Sequence, residues 1–152
     1  MTNPFGTALA ENSIVVQAHA ADWRAAITLS GDALVAGGVT TDEYTAAMIK
    51  TIEDLGPYVV IAPGIALAHS RPSAAVLRTG LSWVTLAEPI PFGNEANDPV
   101  SLVIGLAATD HDGHLALMSA LAGVLSDPGM LASLSAATSA SDVREQLLSY
   151  VV

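Results

Sequence analysis

Charges, prolines and glycines interrupt every apolar run in this chain well before the ~20 residues that a membrane-spanning helix requires. Its apolar residues must therefore be shared among several short elements packed against one another. At 152 residues the chain has the size of one ordinary domain, about 100–200 residues, and residues 1–152 read as a single globular unit. Hydrophobic residues make up 51% of it and charged residues 13%, against a usual charged share of ~25%, so disorder is excluded for most of its length.

The short runs have two textures. Ser13 to Ala18 (SIVVQA), Tyr58 to Ala62 (YVVIA), Gly80 to Leu86 (GLSWVTL) and Val100 to Ala107 (VSLVIGLA) are β-branched or continuous apolar stretches between turn residues, the pattern of strands. Elsewhere the apolar period is helical. Asp22 precedes a helix carrying Trp23, Ala26, Ile27, Leu34 and Val35 on one face, stopped at Gly37-Gly38. Thr40 with Glu43 three residues on predicts a capping box for a second helix, whose face is Tyr44, Ala47, Met48 and Ile52 and whose stop is Gly56-Pro57. PGIALAHSRPS reads as an ordered loop between strands. After TDHDG come a periodic helix (LALMSALAGVLS), a helix opened by Asp127-Pro128 as N-cap and first residue, and a last helix from Ser141 to Tyr150. The order strand, two helices, three strands, three helices predicts an α/β fold, a mixed sheet covered by helices on both faces.

Fifteen acidic residues against five basic ones leave a formal charge of −10, which repels nucleic-acid phosphates and anionic lipid surfaces. No nucleic-acid partner is expected. MTNPFGTALAEN has neither a basic start nor a continuous apolar segment, so no secretory signal is expected. The absence of cysteine removes disulfides and thiolate chemistry and fits a cytoplasmic location.

Although acids are a tenth of the chain, none lies between Asp54 and Glu88, the window that holds His69, Arg71 and Arg78. Such a window suits the approach of a dianionic phosphoryl group. A neutral imidazole at His69, one nitrogen fixed by a hydrogen bond, would present the other as a nucleophile, and backbone amides of Ala68-His69-Ser70 would hold phosphoryl oxygens. His111 and His114 fall where a strand hands over to a helix, an anion-friendly place. The alternatives are a solvated capping turn or, with His69 as third ligand, a zinc site, although no extended zinc-hydrolase motif is present. Asp110/Asp112 and Glu53/Asp54 read as helix-end charges and His19 as structural. GxxxxGK[ST], GxGxxG and GxSxG motifs are missing.

Asp54, Ile61, Ala62, Ile65, Ala66, Leu67 and His69 stand in the register of a known pattern, with Ala68 where that pattern has proline and Ser70 at its small residue. The chain resembles the enzyme IIA components of the phosphoenolpyruvate-dependent sugar phosphotransferase system, mannitol/fructose type. DWRAAITLSGDALVAGG, DEYTAAMIKTIEDLGPYVVIAPGIALAHSRP, PFGNEANDPVSLVIGLAATD and HLALMSALAGVLSD resemble the ascorbate-transporter branch. The resemblance implies a three-layer α/β/α sandwich with a mixed sheet. It implies that His69 accepts a phosphoryl group from HPr, the histidine phosphocarrier, and passes it to a cysteine of enzyme IIB, which serves the membrane component enzyme IIC. His114 matches a second histidine that positions the group. Mannitol-type members use an arginine in the helix before the motif; here that helix has Lys50, and Arg71 stands in, with Ser70, as a substrate-binding residue. No metal or cofactor is required. A cytoplasmic phosphocarrier for ascorbate or a related carbohydrate is the expectation. A regulatory phospho-acceptor domain and a zinc hydrolase are the alternatives, and an oligomer is compatible with the sequence.

Overall fold

The computed structural model describes residues 4–150. After a single helical turn, α1 (Phe5–Ala8), and a 3₁₀ turn at Glu11–Ser13, the chain runs β1 (Ile14–Ala18), α2 (Trp23–Ala36), α3 (Asp42–Leu55), β2 (Val60–Ala62), β3 (Ile65–Ala68), β4 (Gly80–Ile90), β5 (Val100–Ala107), α4 (His111–Leu125), α5 (Pro128–Ser135) and α6 (Ala140–Ser149). The sheet order is β1-β4-β5-β3-β2. β1 pairs with β4 and β3 with β5 in parallel, while β4–β5 and β2–β3 are antiparallel.

Strand side chains alternate between faces, so each central strand feeds two cores. Leu102, Ile104 and Leu106 of β5, with Leu81 and Trp83 of β4 and Leu67 of β3, pack under α1, α4, α5 and α6 through Phe5, Leu117, Leu121, Leu134 and Leu147. Val103 and Ala107, with Val84, Leu86, Ala66 and Ala68, pack under α2 and α3 through Ile27, Leu34, Tyr44, Met48 and Ile52. The result is the expected three-layer α/β/α sandwich. The α2 side is lined with small residues: a Cβ on Gly105 would overlap the hydroxyls of Ser30 and Ser82. Those two hydroxyls are buried and 3.1 Å apart, and Ser82 also donates to the Ser30 carbonyl at 2.9 Å, so the helix lies close on the sheet.

Local signals held at most helix ends. The Asp22 and Asp127 carboxylates accept from the amides of Ala25 and Met130 at 2.9 and 3.0 Å. Gly38, at φ 73°, turns the chain out of α2 in the left-handed region open to glycine. The Thr40–Glu43 capping box does not form. Thr40 is bridged to Val76 and the Thr41 amide donates to Ala75 O at 2.8 Å, so the entry to α3 is set by this tertiary pairing and its N-cap, Thr41, makes no side-chain cap. Val35, assigned to the core face of α2, is 40% exposed. The segment read as a loop after Pro63 contains a buried strand, β3, held between β2 and β5. The turn α1 carries no periodic signal in four residues and exists because Phe5 is buried.

Both sheet edges are blunted, as edges that avoid further pairing must be. β1 bulges at Gln17, whose φ is 54°. β2 is crossed by the 91–99 loop, where Asn97 donates to Val60 O at 3.2 Å. That loop is closed on itself by the Asp98 carboxylate, which accepts from the amides of Phe92, Gly93 and Asn94 at 2.8–3.0 Å. Among the described residues no single helix is long and apolar enough to cross a membrane; α4 and α5 together have the length and apolarity but meet at 90°.

Candidate functional site

Because β3 and β5 run parallel, their C-terminal ends emerge side by side, with Ala68 opposite Gly105. His69 follows the first and α4, through Ala108 to Asp110, follows the second. Helix α3 closes the space from the other side. Between them lies a cavity of about 640 Å³, lined by Tyr44, Thr51, Asp54, Leu55, Tyr58, His69, Ser70, Arg71, Pro72, Leu106, Ala108, Asp110, His111 and His114.

The His69 Nδ1 lies 3.1 Å from the carbonyl of Leu67. A carbonyl only accepts, so this contact places the proton on Nδ1 and leaves the lone pair on Nε2. Tyr58 meets the ring edge to face, with centroids 5.9 Å apart and planes at 84°, and limits its swing. The imidazole is thereby half-buried, oriented and supplied with one nucleophilic nitrogen.

Ser70 is engaged differently from the expectation. Its amide donates to the Tyr44 hydroxyl at 2.9 Å and its hydroxyl is 3.3 Å from Thr51 Oγ1, which itself donates to Ala47 O. The Ser70 amide is therefore not a free anion donor. Tyr44, assigned from the sequence only to the apolar face of its helix, donates to Leu106 O at 2.8 Å, with Ser70 O at 3.1 Å from the same hydroxyl. Burial pushes its phenol up, the Ser70 amide opposes this, and Tyr58 adds to it, so the group stays protonated at neutral pH. The signal that could have found it is a polar tip on an otherwise buried helical stripe, since a buried tyrosine hydroxyl needs a partner.

At the start of α4 the Asp110 carboxylate caps the helix by accepting from Gly113 N at 2.6 Å. The amides of His111 and Asp112, which have no carbonyl four residues back inside the helix, stay available at the positive end of the dipole. His114 is half-buried and His111 exposed; both line the cavity.

Of the two arginines in the acid-free window, only Arg71 lines the cavity. Arg78 turns away and donates to Thr7 O at 3.1 Å and Gly37 O at 2.7 Å, tying α1 to the end of α2. Arg24 pairs with Glu53 at 3.0 Å, Lys50 with Asp54 at 3.3 Å, and Arg144 donates to Leu9 O and Gly6 O. Among the described residues Arg71 is thus the cation without an internal partner. The window is not acid-free in space, since Asp54 and Asp110 also face the cavity, one paired with Lys50 and the other capping α4. His19 lies outside the site, exposed between β1 and α2. Among the described residues no group of three or more His, Asp or Glu side chains has the geometry to hold a metal ion, so the zinc reading has no ligand set.

The family described as "Phosphoenolpyruvate-dependent sugar phosphotransferase system, EIIA 2" has a model that matches residues 7–150. The chain belongs to this EIIA family. Over 107 residues, 70% of each chain, it is 47% identical to an ascorbate-specific PTS system EIIA component of Salmonella typhimurium and 46% identical to that of Escherichia coli K12. The fold of this EIIA protein is similar to the solution structure of a mannitol-specific cryptic phosphotransferase enzyme IIA of E. coli, with a TM-score of 0.83 and 30% identity over 97% of this chain and 99% of that one. It is similar also to the complex of mannitol enzyme IIA with phosphorylated enzyme IIB of E. coli, with a TM-score of 0.78 and 34% identity over 93% and 96% of the two chains.

Proposed function

We propose that this EIIA protein is a cytoplasmic phosphocarrier that accepts a phosphoryl group from phospho-HPr on Nε2 of His69 and passes it to a cysteine of enzyme IIB. One observation carries the reading: the 3.1 Å contact from His69 Nδ1 to Leu67 O, which makes Nε2 the nitrogen with the lone pair. That lone pair attacks phosphorus, an N–P bond forms, and the bond to the HPr imidazole breaks with its electron pair returning to that ring. In the second step the enzyme IIB thiolate attacks phosphorus and the His69 N–P bond breaks. Both steps need in-line positioning and charge stabilisation more than covalent help from the protein. Arg71, His114 and the free amides at the start of α4 offer that charge; Ser70 contributes through the backbone it holds.

Docking in turn with two proteins suits the rim of the cavity, where Leu55 and Tyr58 are 70% and 44% exposed and Leu115 follows His114 at 52%. The names of the 46–47% identical relatives favour ascorbate or a related carbohydrate as the cargo of the system, taken up through a membrane enzyme IIC. Incubation with phosphoenolpyruvate, enzyme I and HPr, followed by mapping of the modified residue, tests the first step. One acid-labile, alkali-stable phosphoryl group on His69, lost in His69→Ala, is expected; full labelling of that variant would refute the assignment. Adding enzyme IIB then separates a carrier, which discharges, from a regulatory acceptor, which does not.

A further inference from the structure

We propose that Tyr44 is a positioning residue, its hydroxyl clamping the segment that carries His69 to the segment that leads into His114. The proposal rests on the phosphocarrier reading and names how the two imidazoles are held in register within that site.

Three backbone groups converge on one oxygen. The Ser70 amide donates to it at 2.9 Å, it donates to Leu106 O at 2.8 Å, and Ser70 O stands at 3.1 Å. These groups lie 26 and 62 residues from Tyr44 in sequence, so nothing but the tertiary fold brings them together. Ser70 directly follows His69. Leu106 is one residue from the end of β5 at Ala107, after which Asp110 caps α4 and His114 completes its first turn. One hydroxyl therefore spans both histidine-bearing segments.

The clamp is anchored from behind. The Tyr44 side chain is 1% exposed and packs in the same core as Met48 and Ile52 of α3, so its oxygen is located by helix packing and not by the loops it holds. Among the described residues, no comparably short hydrogen bond ties the chain beyond Ser70 to the body until Thr41 N donates to Ala75 O, the remaining tie being the 3.3 Å contact of Ser70 with Thr51. On the near side of His69 stands Ala68, which supplies no ring to stiffen the backbone. Leu67 O and Tyr58 fix the ring on one side, and on the other the direction of the His69 imidazole depends on the residue after it, which Tyr44 holds. Burial keeps the phenol protonated, so it can donate to Leu106 O while accepting from Ser70. Misplacing reacting groups by about 1 Å costs on the order of 10²-fold in rate, the scale on which loss of this clamp should register.

Tyr44→Phe deletes the oxygen and keeps the ring. Far-UV circular dichroism should match the wild type, while the rate of phosphoryl acceptance from phospho-HPr falls by roughly 10- to 100-fold. Long-range ¹⁵N–¹H spectra should show the His69 ring losing its single-tautomer signature. In a His114→Ala background the same change should cost less than about threefold, because the partner it registers is gone. A rate within twofold of wild type, or an equal loss in both backgrounds, would overturn the clamp and leave Tyr44 a packing residue. Should Tyr44→Phe fail to fold, the wild-type hydroxyl proton decides: slow exchange with water supports the clamp, and exchange at the solvent-exposed rate of Tyr58 refutes it. A wild-type chain that takes no label removes the phosphocarrier reading and this role with it; a labelled wild type with an indifferent Tyr44→Phe removes the clamp alone.

Discussion

Gly105→Ala adds one methyl group where β4, β5 and α2 meet. Its Cβ would overlap Ser30 Oγ and Ser82 Oγ and approach Leu34 Cδ1 to 3.2 Å. Both serines are fully buried and bonded to each other. Relief requires either that α2 lift from the sheet, an overpacking cost of about 1–3 kcal/mol, or that the hydroxyls separate and lose partners, about 1–3 kcal/mol for an orphaned buried group. The cheapest combination of the two sets the loss, about 2 kcal/mol, a sizeable share of the ~5–15 kcal/mol by which a domain is usually stable. Urea denaturation should show a lower midpoint at unchanged slope, and the melting temperature should fall by roughly 4–8 °C, at ~2–4 °C per kcal/mol for a chain of this size. Gly105 is also the register partner of Ala68, so the folded fraction should accept phosphoryl groups more slowly as the end of β3 shifts. Adding Ser30→Ala and Ser82→Ala removes both obstructing oxygens and should restore at least half of the loss. A single variant within about 1 kcal/mol of wild type, or a triple variant less stable than the single one, would refute the close-approach reasoning.

Arg71→Ala should slow phosphoryl acceptance by on the order of tenfold, more at low salt than at high, with an unchanged urea midpoint, whereas Arg78→Ala should lower stability by about 1–2 kcal/mol through its two carbonyl contacts and leave the rate alone. Steady-state labelling and denaturation of the two variants check this pair. His114→Ala should still accept phosphate, but more slowly, and transfer to enzyme IIB ~10²–10³-fold more slowly, and the exposed His111→Ala should be close to wild type; stopped-flow transfer assays in which His111→Ala is the crippled variant would contradict the roles given to them. The Tyr44 phenol has its folded-state pKa raised above the ordinary 10.0, so the folded chain binds more protons than the unfolded one between those values and its stability falls as pH rises through them. Denaturation midpoints should therefore drop from pH 9 to pH 11 more steeply in the wild type than in Tyr44→Phe, and parallel curves would exclude Tyr44 as the source.

The sequence by itself determined the elements whose signals lie within a few residues. Asp22 and Asp127 cap helices because a carboxylate reaches an amide three residues on. The β-branched run in β1 and the apolar run in β5 could only be buried as strands with sides facing different layers, and the family register singled out His69, within a segment that reads as a loop. Tertiary structure alone decided whatever depends on partners far along the chain. IALA is too short and too rich in alanine to announce β3; it is a strand because Val59 and β5 supply its hydrogen bonds. The Thr40–Glu43 pattern carries a complete local capping signal and still fails, because Thr40 is bridged to Val76 and Thr41 to Ala75. Two arginines seven residues apart part company, one to a cavity and one to the carbonyls of Thr7 and Gly37. Asp54 and Asp110 enter a site that looked free of acids, and Tyr44 joins it from a helix face that looked merely apolar. A helix cap or an amphipathic face is an energy between near neighbours, legible in order along the chain. The aim of His69 is an energy between Leu67, Ser70, Tyr44 and Leu106, and that sum exists only once the sheet has set two parallel strand ends side by side.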